Sequence, residues 1–312
     1  MLIRSPRGWE LPERLATPEA LMLGRRYLLG GAATLAAVGL AGTAQAAEAP
    51  LPPGALRFKP GRPLTPAHAV ETYNNYYEFG TSKSIWRAAQ RLHTSPWSLR
   101  IEGMVHKPTT IALDTLLKQV TQDERVYRHR CVEAWAITVP WTGFPLSQLV
   151  KIANPLASAK YMVFQTLDDP KQMPGISGSF FPWPYVEGVT MAEANNELAF
   201  VGTGLYGKNL LKQNGAPIRI VLPWKYGFKS VKSIVKITFT DKQPMTFWKQ
   251  IAPDEYGFWA NVNPAVPHPR WSQARERLIG TGKTVPTQIY NGYGQWVSSL
   301  YAGMPQTRTL FM

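Results

Sequence analysis

The one cysteine of this 312-residue chain, Cys131, lies in the run Arg128-His129-Arg130-Cys131-Val132-Glu133-Ala134-Trp135. Cations beside a thiol favour the thiolate, the form that attacks carbon or binds a metal. A soft, charged sulfur suits a soft metal centre. Three readings are open on these residues: a metal ligand, a peptidase nucleophile with His268 or His106 brought alongside by the fold, and an inert buried thiol packing as a small hydrophobe. Inert cysteines sit in apolar surroundings, and no peptidase signature flanks this one.

A second cluster is Pro223-Trp224-Lys225-Tyr226-Gly227-Phe228-Lys229-Ser230-Val231-Lys232. Three lysines around a glycine turn with free backbone amides would make a phosphate pocket; the same residues would also make a solvated basic hairpin. Just upstream, Gln213-Asn214-Gly215-Ala216-Pro217-Ile218-Arg219 places a turn before an arginine that opens a strand, a suitable place for a two-pronged anion contact. A third cluster, Tyr73-Asn74-Asn75-Tyr76-Tyr77-Glu78-Phe79-Gly80, concentrates amides and aromatics that would either bind a flat heterocycle or pack as ordinary core.

These clusters need elements to position them. Residues 47 to 70 are Pro-rich and read as an extended arm. Residues 83 to 92 read as a helix, and Trp97 to Glu102 alternates as a half-buried strand. Short helices are expected at 113 to 120, 146 to 153 and 190 to 199, and strands near 161 to 166, 217 to 222 and 231 to 240. In the last of these Val231, Ser233, Val235, Ile237 and Phe239 would share one face. Helices and strands mix without a regular strand-helix-strand period, which predicts a single α+β domain rather than a doubly wound sheet.

The N-terminus carries Arg25-Arg26 ahead of residues 27 to 47, which contain no charge, and ends this stretch with Ala44-Gln45-Ala46. Paired arginines, an Ala- and Gly-rich apolar run and a small-x-small site read as a twin-arginine export signal over residues 1 to 46, with an uncleaved membrane anchor as the rival. The domain would then be 47 to 312, long enough to bury a substantial core. The chain has 34 basic and 20 acidic side chains, a formal +14. Export argues against nucleic acid as the partner, and basic residues scattered among aromatics favour a bound anionic cofactor. A lone cysteine forms no internal disulfide. No GxxxxGK[ST], HExxH or CxxCH occurs, so a redox enzyme of this sequence would draw its electrons from another protein.

The segments YNNYYEFG (73 to 80), RHRCVEAWAITVPWTGFPL (128 to 146), TLDDPKQMPG (166 to 175), QNGAPIR and PWKYGFK (213 to 229) and YGFWANVNPAVPHPRWSQA (256 to 274) occur in this order over nearly all of the chain after residue 46. In them the sequence resembles the molybdopterin-dependent catalytic subunits of periplasmic methionine sulfoxide reductase systems, a branch of the sulfite oxidase superfamily. The resemblance implies a sulfite-oxidase-type fold and one mononuclear molybdenum held by a pterin dithiolene and by Cys131. It implies pterin contacts at Asn74, Tyr77, Glu78, Thr166, Asn214 and Arg219, and at Ser230, Val231 and Lys232 near the phosphate end. It also implies reduction of methionine sulfoxide in periplasmic proteins, with electrons from a membrane-bound haem b subunit. Sulfite oxidases proper follow their cysteine with Gly-Asn-Arg, where this chain has Glu133-Ala134-Trp135, and this favours the reductase branch. Another S-oxide or N-oxide as substrate, and a non-catalytic exported binding module, are the competing functional readings. Thiol-based sulfoxide repair needs a second thiol, which this chain lacks.

Overall fold

The structure, a computed structural model, describes residues 54–177 and 180–312; the expected export signal lies outside the described residues, as does the start of the Pro-rich arm. In chain order the strands are β1 (Ser98–Gly103), β2 (Thr109–Ala112), β3 (Asp123–Arg130), β4 (Trp135–Pro145), β5 (Tyr161–Thr166), β6 (Val186–Thr190), β7 (Phe200–Leu205), β8 (Lys208–Asn209), β9 (Arg219–Val221), β10 (Ile234–Thr240), β11 (Arg275–Leu278) and β12 (Thr284–Pro286). One sheet runs β2-β1-β10-β5-β6, and the other runs β12-β11-β4-β7-β8, with β3 also on β4 and β9 also on β7. Pairing is antiparallel except for β1 with β10 and β11 with β4. Mixed sheets with interspersed short helices are the α+β architecture that the sequence pattern predicts.

Alternation in β1 buries Leu99 and Ile101 and leaves Arg100 outside. The central strand β4 is buried almost throughout, as a strand covered on both faces must be. Helix α3 (Leu146–Ala153), which follows α1 (Ala67–Thr72) and α2 (Leu113–Leu117), buries Leu146, Leu149, Val150 and Ala153. That is one helical face, and it stops at Asn154 in the left-handed conformation. These side chains join Trp141, Phe144, Phe164, Phe200, Ile220 and Ile237 in one core that takes residues from both sheets. A smaller cluster of Tyr76, Phe79, Ile85, Ala89, Leu92, Met173 and Ile176 anchors the Tyr73–Gly80 segment.

Helix α3 and strand β5 have the expected bounds. Other elements are shorter than the pattern suggests. The 83 to 92 region is turns and one 3-10 turn (Ala88–Arg91), α2 ends at Leu117, and α4 (Met191–Ala194) covers four residues behind a Thr190/Glu193 capping box. The Pro-rich arm contains α1, which starts right after Pro66. The expected single face of 231 to 240 is overturned. A bulge between Ile234 and Lys236 shifts the pairing by one residue, so Ile234 is buried with Ile237 and Phe239 while Val235 is only half-buried. An extra residue in one strand reverses which face its neighbours occupy. No helix among the described residues is long and apolar enough to cross a membrane.

Candidate active site

Strand β3 delivers Cys131 to a cavity of about 530 Å³, a size usual for small-molecule sites. Alternation along the strand sends His129 and Cys131 to the cavity and Arg128 and Arg130 away from it. Arg130 is fully buried against Glu276 Oε2 (2.8 Å) and Gln273 Oε1 (2.8 Å), and Arg128 donates to Gln288 Oε1 (2.6 Å) and the Asn291 carbonyl (3.2 Å). The flanking arginines therefore do not make the thiolate, as their spacing suggests they would. Burial pushes the Cys131 thiol up to about 12, the Glu133 carboxylate adds to this, and Lys83 and Arg130 offset only part of it. A thiol in this position becomes an anionic ligand when a metal cation takes the place of its proton.

The sulfur accepts hydrogen bonds from Asn75 Nδ2 (3.4 Å) and the Glu133 backbone amide (3.5 Å). Asn75 also donates to Glu133 Oε2 (2.9 Å), Lys83 Nζ reaches Asn75 Oδ1 (2.5 Å) and Glu133 Oε1 (2.8 Å), and Trp135 Nε1 donates to Glu133 Oε2 (3.0 Å). Although partial burial opposes it, hydrogen bonds from Asn75, Lys83 and Trp135 hold the Glu133 carboxyl below its ordinary range. No imidazole is bonded to the sulfur. His268 stacks on Trp271 (3.7 Å) and His106 is exposed. Burial, with Arg219 and Lys232 nearby, pushes His129 down to about 3, so it is neutral. The peptidase arrangement is absent among the described residues.

Most of the residues named from the resemblance meet in this one cavity. Asn74, Tyr77, Glu78, Thr166, Asn214, Arg219 and Lys232 line it with Cys131, while Ser230 and Val231 lie behind the wall. There the Ser230 carbonyl accepts from Arg219 Nη2 (3.4 Å), and the Val231 carbonyl accepts from the Ile220 amide (2.8 Å). Asn74 and Asn214 both donate to the Val70 carbonyl, at 2.9 and 3.1 Å, and each leaves a buried Oδ1 without a partner. Burial pushes Glu78 up to about 7 against the pull of Lys232, and pushes Arg219 and Lys232 down to about 10 and 8.

The three-lysine phosphate pocket is not formed. Lys225 is buried against Glu193 (2.5 Å) and Lys229 against Glu187 (2.6 Å), which leaves Lys232 facing the cavity. Gly227 lets the turn close onto His129, because a Cβ there would run into the imidazole ring. The donor set fits a molybdenum pterin. Two orphaned amide oxygens can accept from ring N–H groups, Arg219 and Lys232 can meet an anion, and one sulfur is available for the metal. No group of three His, Cys, Asp or Glu side chains that could hold a metal occurs among the described residues, so a metal held at Cys131 would need further ligands from a cofactor. Sequence reasoning missed Lys83, Trp248 and Tyr256; Lys83 and the 248–256 segment lie far from each other and from Cys131 in the chain and converge only in the fold.

A family model for the oxidoreductase molybdopterin binding domain matches residues 87–248, a span that includes Cys131, Thr166, Asn214, Arg219 and Lys232. The chain belongs to this family of molybdopterin-binding oxidoreductases. Among curated proteins it is similar to the protein-methionine-sulfoxide reductase catalytic subunit MsrP of Burkholderia mallei, at 49% identity over 95% of this chain and 95% of that one. The protein of the same description from Xanthomonas axonopodis pv. citri is 48% identical over 94% of this chain and 96% of its own. Of solved structures, the sulfane dehydrogenase SoxCD from Paracoccus pantotrophus aligns with a TM-score of 0.44 and 15% identity, over 73% of this chain and 60% of that chain.

Proposed function

We propose that this protein reduces methionine sulfoxide residues in oxidised proteins of the periplasm, as the catalytic subunit of a two-part system. The observation that carries this reading is a single cysteine sulfur facing a cavity lined by unsatisfied amide oxygens and unpaired cations, in a chain nearly half identical to the reductase subunits over almost its whole length. The molybdenum–molybdopterin cofactor supplies two-electron oxygen-atom chemistry when bound. Overall, sulfoxide, two electrons and two protons give thioether and water. Cys131 supplies the metal's protein ligand. Asn75, Lys83 and Glu133 hold the sulfur's surroundings in place, and Asn74, Asn214, Arg219 and Lys232 hold the pterin and its phosphate.

Residues 1 to 46 serve in this reading as a twin-arginine signal, which permits loading of the cofactor before export. With one cysteine and no haem-binding motif in the sequence, electrons come from outside, and a membrane-bound haem b subunit fits that requirement. The test is elemental analysis of protein purified from the periplasm, followed by an assay with oxidised protein and a reduced dye. One molybdenum per chain with sulfoxide turnover is expected, and Cys131→Ser, whose harder alkoxide suits molybdenum poorly, is expected to remain folded with no activity. Metal-free wild-type protein, or near wild-type turnover in the variant, would refute the reading.

A further inference from the structure

The two ends of the cavity differ in construction. Its floor is polar and buried, formed by Asn74, Glu78, Thr166, Asn214 and Arg219. Its outer wall is aromatic and ends at Arg270, which is exposed. Trp248, from helix α5 (Phe247–Ile251), stands edge-on to Tyr77 (centroids 4.9 Å apart) and tilted against Tyr256 (5.2 Å). Phe228 also packs on Tyr256, edge-on at 5.3 Å, so the Tyr256 ring is wedged among aromatic neighbours. Arg270 is fixed by Glu255 (2.8 Å) and lies over Trp271 (4.8 Å).

The floor accounts for the expected cofactor contacts except Tyr77, whose ring belongs to the wall instead, and it needs neither Trp248 nor Tyr256. The wall presents apolar ring faces together with phenol O–H groups. Burial pushes Tyr77 and Tyr256 up to about 12, with Glu133 and Cys131 adding to it at Tyr77 and Glu255 at Tyr256, so both phenols stay neutral donors. A sulfoxide has matching chemistry: two alkyl arms and a sulfur that pack on aromatic rings, and one strongly polarised oxygen that accepts hydrogen bonds.

We propose that the wall formed by Tyr77, Trp248 and Tyr256 is the pocket for the methionine sulfoxide side chain: the rings take its methylene and S-methyl groups, and the Tyr256 hydroxyl donates to the sulfoxide oxygen in front of Cys131. Arg270, at the outer edge, meets backbone carbonyls of the substrate segment. This assignment rests on the sulfoxide reductase reading above and names the residues that would give that site its specificity.

The test uses molybdenum-loaded enzyme in three forms: wild type, Tyr256→Phe, which keeps the wedged ring and removes only its hydroxyl, and Trp248→Leu, which removes the middle of the wall. The binding probe is N-acetyl-methionine sulfone amide, which has the same alkyl arms and S–O oxygens, followed by calorimetry. Turnover is measured with the corresponding sulfoxide, and molybdenum per chain is measured for each form. Expected are unchanged molybdenum content, about tenfold weaker sulfone binding and a tenfold higher KM for Trp248→Leu, and a tenfold lower kcat/KM for Tyr256→Phe, each the worth of one lost contact. Wild-type binding and turnover in both variants would overturn the assignment. Loss of molybdenum from either would also overturn it, by making that residue part of the cofactor site. A loaded wild type that reduces no sulfoxide would instead sink the functional reading, and the sulfone binding of the variants would still decide the pocket.

Discussion

At the scale of single residues, the side chains around Cys131 behave differently from what their order in the sequence implies. Three adjacent basic residues look alike on paper, yet β3 turns Arg128 and Arg130 to buried partners and His129 to the cavity. His129 is held at about 3, far below its ordinary 6.5. An unfolded chain therefore takes up this proton between pH 6.5 and 3 while the folded chain does not, so His129 makes stability fall as pH falls through that window. In cofactor-free protein, the acid-side slope of melting temperature against pH is expected to be shallower for His129→Asn than for wild type; equal slopes would contradict the assignment of a neutral buried imidazole. Arg219 and Lys232 face the same space without a paired carboxylate among the ion pairs of the described residues. Replacing either by Ala removes a charged contact worth about 1–3 kcal/mol to an anionic cofactor. Molybdenum per chain under limiting cofactor should drop more than activity per bound molybdenum, and full occupancy would remove that residue from the binding set.

At the scale of elements, the Pro223–Lys232 turn is held by charges that never meet the cofactor. Lys229 and Glu187 are both fully shielded from water, and their contact ties the turn to β6, while Lys225 and Glu193 tie it to α4. Removing one member of a buried pair strands the other, at a cost of about 3–5 kcal/mol. Glu187→Gln is expected to lower the urea midpoint strongly, and Glu187→Leu combined with Lys229→Met to recover much of the loss; a single variant as stable as wild type would show that the pair does not fasten the turn. The same physics explains why β3 was not legible as a strand. Its sequence, Asp123–Arg130, is charged on both faces, and Arg128 and Arg130 are tolerable inside only through partners distant in the chain, as Arg125 is through Asp123 and the remote Glu197 carbonyl. By contrast α3 and β5 carry clean apolar periodicities and were readable to the residue.

For the whole molecule, the proposed twin-arginine signal would link export to cofactor loading. A ligand bound only by the native state stabilises it by mass action. Loading in the cytoplasm would thus deliver a folded, stabilised enzyme to a pathway that carries folded proteins. Replacing Arg25 and Arg26 by Lys should leave active, molybdenum-containing enzyme in the cytoplasm, still bearing residues 1 to 46. Cell fractionation with an activity stain and mass measurement decides it, and processed active protein in the periplasm would count against the twin-arginine reading.

The sequence alone determined the chemistry on offer: one sulfur for a metal, no second redox group, a fingerprint of segments specific to a molybdopterin family, and an α+β mixture of short elements. These are properties of residue identity and local spacing, which survive without knowledge of distant contacts. Only the tertiary structure decided which cations are free. Lys225, Lys229, Arg128 and Arg130 are neutralised or satisfied by residues far away in the chain, whereas Arg219 and Lys232 are left facing the cavity. It also decided the substrate side of the site, because Tyr77 joins Trp248 and Tyr256 in one wall only when two segments far apart in the chain pack together. Pairing of charges and packing of rings are long-range properties, and no local pattern encodes them.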